Sequence, residues 1–199
     1  MKDLVVGIDA GINHAGVCMY SPDDCLCGVM SMDPAGIGQT STMRSINKCI
    51  TVFRLIDNYV RGLINNKHKV ILSTEFPTGG GQSAEAIRAM AMATGVMACL
   101  SSRAETAYAV TPRAVKQFVI HNYEAVTGLP WLGGKEVTKQ NIKFFVNWCN
   151  KKSIVRIVKN KINEHEADAV VVALITSVHC YGTPRVLTVP LSPDVIIVN

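Results

Sequence analysis

Three features of the sequence predict one α/β domain built on a mixed sheet. Apolar, Val- and Ile-rich runs of strand length end in a carboxylate at Asp9 and again at Glu75. Segments with apolar residues at helical spacing alternate with such runs, so the chain reads βββαβαβα with added helices. No repeat, low-complexity tract or linker divides the 199 residues, and a 48% hydrophobic content suits a single full core.

Leu4-Val5-Val6-Gly7-Ile8-Asp9 opens the chain as a buried strand, and small residues follow Asp9 at once. Residues 15–21 return antiparallel to it, and after the turn at Pro22-Asp23-Asp24 residues 26–32 make a third strand. A Gly-rich loop leads to a helix over 42–65, with Ile46, Ile50, Phe53, Ile56 or Asp57, Val60 and Ile64 expected to face inward. Lys69 to Glu75 is the next strand. Residues 77–83 form a loop with three glycines, and an Ala- and Met-rich helix runs over 84–100. After a strand at 106–110, Thr111-Pro112-Arg113 starts a helix, with Thr as the cap and Pro in the first turn. Residues 128–134 are a loop, and a helix over 135–150 turns Ile142, Phe145, Val146 and Cys149 inward. The last helix spans about 163–180. The tail from Gly182 holds two short apolar runs, 186–189 and 195–198. Residues 1–181 are thus read as the functional domain and 182–199 as an extension packed on it.

The seven cysteines include no CxxC pair and read as reduced thiols of an intracellular protein. Residues 1–11 lack the length of a signal peptide, and the apolar stretch 169–178 is too short to span a bilayer. A cytoplasmic location is expected, in the host cytoplasm for a viral source, without a membrane partner. The net charge of +5 is concentrated. Lys135, Lys139, Lys143, Lys151, Lys152, Arg156, Lys159 and Lys161 face only Glu136 as an opposing charge between residues 135 and 161. So one-sided a run points to phosphate contact and a nucleic-acid partner.

A carboxylate at the inner end of a buried strand is costly unless something pairs with it. Asp9 and Glu75 both have this problem, and Asp168 enters a helix just where the apolar run begins. Glu164 and Glu166 are accounted for as first-turn acids favoured by the helix dipole. Three acids converging from two strands and a helix repel one another, and divalent metal relieves the repulsion. Hard oxygen ligands favour Mg2+ or Mn2+, and a pair of such ions suits phosphodiester hydrolysis. Both Glu164 and His165 share a helix face with Asp168, so helical geometry does not choose between them.

Four segments resemble RuvC-type Holliday junction resolvases of the ribonuclease H-like superfamily. They are Gly7-Ile8-Asp9-Ala10-Gly11, Glu75 with the helix at 83–96, Val110-Thr111-Pro112-Arg113-Ala114-Val115-Lys116, and His165-Glu166-Ala167-Asp168-Ala169. They run in family order over about residues 1–180. The resemblance implies a ribonuclease H-like mixed sheet flanked by helices, and a homodimeric, metal-dependent endonuclease acting on four-way junctions or other branched DNA. It matches Asp9, Glu75, His165 and Asp168 to the metal-binding and catalytic positions, and Lys116 and Lys139 to lysines of DNA contact or catalysis. Where many members carry an aromatic wedge after the Glu, this chain has Thr78, with Phe76 directly after Glu75. A broader branched-DNA range, as in phage-type members, is therefore expected. Phe76, Arg113, Lys116, Lys135, Lys139, Lys143, Lys151, Lys152 and Arg156 are the candidate DNA contacts.

Three other classes compete. An actin- or sugar-kinase-like ATP-binding protein shares the strand–Asp–Gly opening, but it needs a second acidic Gly-rich phosphate loop and a longer chain; no nucleotide cofactor is expected. A non-catalytic DNA-binding protein has no need of three acids. A structured-RNA nuclease shares every feature above.

Overall fold

The structure is a computed structural model and describes residues 2–11, 13–76, 84–134, 136–189 and 195–198, excepting the side chains of 84–86, 88, 89 and 195–198. The strands are β1 (Asp3–Asp9), β2 (Ala15–Ser21), β3 (Leu26–Met32), β4 (Lys69–Glu75), β5 (Thr106–Val110), β6 (Arg156–Ile157) and β7 (Val195–Val198). The helices are α1 (Ser41–Asn65), α2 (Ala84–Ser101), α3 (Pro112–Thr127), α4 (Lys139–Lys151) and α5 (Glu164–Tyr181). The strands form one mixed sheet in the order β6-β3-β2-β1-β4-β5-β7, with β1, β4 and β5 parallel at its centre.

Alternation along the central strands assigns the two faces. Val5, Ile71, Cys18 and Tyr20 pack towards α3, α4 and α5. Val6, Ile8, Leu72 and Val17 pack on the side of α1 and α2. The pairing of Ile8 with Thr74 sets the register that leaves Asp9 and Glu75 side by side at the C-terminal ends of neighbouring parallel strands, both on the α5 face.

Helix α5 is buried nearly all round from Glu166 to Ser177. It lies on the sheet with almost no side-chain layer between. A Cβ built on Gly7 would stand 2.3 Å from the Ala169 carbonyl oxygen, and one on Gly16 would stand 2.0 Å from that of His165. Only glycine allows this approach. Ser73 fastens the middle of the contact, its hydroxyl 2.6 Å from that of Thr176. The start of α5 is fixed by a capping box between Asn163 and Glu166, and the buried Glu166 also takes a 2.6 Å ion pair from Lys159. Lys159 thereby serves the cap.

Two expectations need correction. The inward face of α1 is Cys49, Val52, Ile56, Asp57 and Val60, while Ile46 and Ile50 are 44% and 40% exposed. Asp57 tolerates burial because Arg61 and Arg103 reach it at 2.7 and 3.2 Å. Helix α4 starts at Lys139, because Thr138 and Asn141 close a capping box there. The second tail run is a strand, β7, paired antiparallel with β5, and the two-residue β6 adds the other edge. Among the described residues no helix is long and apolar enough to cross a membrane.

Candidate active site

The site lies where β1 and β4 end against the first turns of α5. Asp9 Oδ2 accepts a 2.7 Å hydrogen bond from His165 Nδ1. The Asp168 side chain is only 6% exposed; its Oδ2 lies 3.5 Å from Lys139 Nζ at the start of α4. Its Oδ1 is buried without a hydrogen-bond partner among the described residues. Glu75 completes the group. Burial, then the charges of Asp9 and Asp168, push its carboxyl up to about 8, against the pull of Lys139 and Lys116. Asp168 is raised to about 6, again by burial first and Asp9 second. The hydrogen bond to Asp9 raises His165 above its ordinary 6.5. Glu164 takes no part in this network; its carboxylate accepts from the Gln140 amide.

The donor set is three carboxylates and an imidazole, the chemistry that suits Mg2+ or Mn2+. The unpartnered Asp168 oxygen is a buried acceptor that a cation would satisfy. Among the described residues no three His, Cys, Asp or Glu side chains already stand as a closed metal cage. Lys139 Nζ stands 3.5 Å from Asp168 and His165 is bonded to Asp9, so the residues fit a divalent ion that takes the place of the Lys139 ammonium at Asp168.

One neighbour carried no signal in the sequence. The His14 ring stacks on that of His165, centroids 5.3 Å apart and planes 19° from parallel, and its Nδ1 is held 2.7 Å from Asp33 Oδ1. Sequence reading leaves His14 as a turn residue, because Asp33 lies beyond a whole hairpin.

The candidate DNA contacts fall in two groups. Arg113 and Lys116 are exposed on the first turns of α3, and Lys139 and Lys143 lie on the first turns of α4; of these, Lys139 and Lys116 act on the acids. Lys151 and Lys152 sit at the far end of α4, both over the Trp148 ring, and Arg156 follows on β6. Phe76 is half-buried, its amide continuing the β4–β5 pairing through the Val110 carbonyl. Lys135, Thr78 and the three glycines of the 77–83 loop lie outside the described residues.

No protein-family profile and no curated protein matches the chain. Solved structures do. RuvC of Thermus thermophilus in complex with a Holliday junction substrate superposes with a TM-score of 0.55 at 15% identity, over 93% of this chain and 98% of that one. The fold is that of RuvC. A second Thermus thermophilus RuvC structure agrees, with a TM-score of 0.55 and 16% identity over 90% of this chain and 97% of the other. The RuvC fold is thus covered almost from end to end, and it is the ribonuclease H-like mixed sheet that the four motifs imply.

The raised carboxyls carry a stability cost with a definite sign. A group whose folded pKa lies above its ordinary value stabilises the fold fully below that ordinary value. The contribution is lost as pH rises through the folded pKa. For Glu75 the loss runs from about 4.5 up through about 8. In chelator, the protein is therefore expected to melt lower at pH 8 than at pH 5, and Glu75→Gln to melt higher than wild type at pH 8 by roughly 5 °C. Melting curves at the two pH values check this. Equal melting of mutant and wild type at pH 8 would contradict the strained carboxyl.

Proposed function

We propose that the chain is a divalent-metal-dependent endonuclease that cuts branched DNA. The carrying observation is the gathering of Asp9, Glu75, His165 and Asp168 from two strand ends and one helix, with a buried Asp168 oxygen that has no hydrogen-bond partner among the described residues. The junction-bound RuvC structure with the same fold supports the choice of substrate class.

Mg2+ or Mn2+, two ions per site when bound, would supply Lewis-acid activation of water and of the leaving oxygen. The chain's residues do the rest. Asp9, Glu75 and Asp168 give the oxygen ligands and His165 the nitrogen, its orientation fixed by Asp9 on one side and the His14 ring on the other. Lys139 and Lys116 hold positive charge beside the acids, where they offset developing negative charge on a phosphate. Lys143 and Arg113 extend this charge along the rim.

Two active sites are needed for paired nicks, and we read the exposed apolar stripe of α1, with Met43, Ile46 and Ile50, as the surface of a homodimer. The nuclease domain is taken as residues 1–181, with the tail strand β7 extending its sheet.

The test is cleavage of labelled four-way junction, fork, flap, linear duplex and structured RNA, with Mg2+ or Mn2+ and with chelator. Branched DNA should be cut only with metal, by a protein that sediments as a dimer; cutting in excess chelator would sink the reading. Neutralising Lys139 and Lys143 together should weaken binding on every sequence and flatten its salt dependence by about two counterions. An unchanged salt slope would remove both lysines from the interface.

A further inference from the structure

The outer face of α3 and α4 carries an unusual concentration of rings. Tyr123 lies near-parallel to Phe144 at 6.3 Å and edge-on to Trp131 at 5.0 Å, and Phe144 is followed one turn later by Trp148 at 6.1 Å. Both tryptophans of the chain are here. Each packs its inner edge on the core, yet remains partly open, and Phe144 is 42% exposed. Tyr123, Phe144, Gln140, Asn141, Lys143 and Asn147 line an open groove of about 490 Å³. It contains aromatic faces, amides and one lysine, and no acid. Lys143 has no ion-pair partner among the described residues. Further along α4, Lys151 and Lys152 stand 4.5 and 5.7 Å over the Trp148 ring.

The near end meets the active site. Gln140 is bonded to Glu164, next in sequence to His165, and Lys139 pairs with Asp168. From Lys139 to Trp148 the helix rises about 13 Å. An apolar partner would leave the lysines and amides unpaired, and an acidic peptide would leave the rings unused. Aromatic faces interleaved with cations on a path leading out of a phosphate-cutting site suit an unpaired strand, whose bases are free to stack. Duplex bases are stacked already and gain nothing here.

We propose that this groove is a single-strand binding site: bases of an unpaired DNA arm leaving the active site stack on Phe144 and Tyr123, while Lys143, Lys151 and Lys152 hold its phosphates. The site selects forks, flaps and gapped junctions over fully paired four-way junctions. It rests on the nuclease reading only for DNA as the polyanion, and its test reads binding rather than cutting.

The experiment uses the full chain in chelator, with fluorescence anisotropy of a short oligo(dT) and of a fully paired junction. Oligo(dT) should quench the tryptophan fluorescence. Phe144→Ala and Phe144→Leu should weaken oligo(dT) binding roughly tenfold and change junction binding less than about twofold; Phe144→Trp should keep wild-type affinity. Phe144→Leu retains apolar bulk, so it decides the matter if the alanine variant misfolds. Wild-type affinity in Phe144→Leu, equal loss on both substrates, or displacement of oligo(dT) by polyglutamate of matched charge would each overturn the groove. Metal-dependent cutting by the wild type is scored separately, so a failed nuclease reading leaves the binding result legible.

Discussion

Asp9→Asn is expected to lower the cutting rate by about a thousandfold or more while DNA binding stays within about twofold. Asp9 is both a proposed metal ligand and the group that orients His165 through its 2.7 Å bond. Neutralising it removes a charged oxygen ligand and leaves the imidazole free to rotate. Losing about 4 kcal/mol of transition-state stabilisation is enough for that factor. Binding survives because the lysines of α4 and the first turn of α3 do not depend on Asp9. Single-turnover cleavage and anisotropy on the same junction measure the two quantities. A mutant that still cuts at a tenth of the wild-type rate would refute the assignment of Asp9. The same assay on the α5 pair should find His165→Ala strongly impaired and shifted in its preference between Mg2+ and Mn2+. Glu164→Gln, which loses only a bond to Gln140, should keep most activity.

Gly16→Ala is expected to cost about a hundredfold in rate without touching any charged residue. Its methyl would meet the His165 carbonyl oxygen at 2.0 Å, the carbonyl carbon at 2.3 Å and the Glu166 nitrogen at 2.9 Å. All three are backbone atoms, so no side chain can turn aside. The first turn of α5 has to move out by an ångström or so, taking His165 and Asp168 away from Asp9 and Glu75, and a displacement of that size in a reacting site costs about 10²-fold. Overpacking should also destabilise the fold by about 1–3 kcal/mol. Rates measured well below the melting midpoint separate the two effects. Wild-type kinetics in a folded Gly16→Ala protein would mean that the spacing between sheet and helix is not critical.

The acids were legible in the sequence because each broke a local rule. Asp9 and Glu75 close runs that should be wholly apolar, and period-two alternation then puts both on one face of adjacent strands. Asp168 stands where the α5 burial has begun, whereas Glu166, read as a simple first-turn acid, is buried in the capping box and paired with Lys159. The turn of α1 was illegible because apolar residues cover more than half its circumference, so periodicity alone cannot pick out Cys49, Val52, Ile56 and Val60. Arg61 and Arg103, which make Asp57 tolerable inside, come from one turn on and from beyond α2. The strands β6 and β7 are too short to register as patterns. His14 depends on a partner across a hairpin, and the ledge of Tyr123, Phe144 and Trp148 arises only when α3 and α4 lie side by side.

The site is divided between the two ends of the chain. Asp9 belongs to the first strand, while His165 and Asp168 belong to the last helix, which has nowhere to pack until the sheet, α3 and α4 are in place. A ribosome making this protein must therefore add the 156 residues that separate His165 from Asp9 before the two can meet. At ordinary synthesis rates that interval is on the order of ten seconds. Throughout it, a growing chain holds only half of the proposed site. On the nuclease reading, the order of the elements acts as a safety delay.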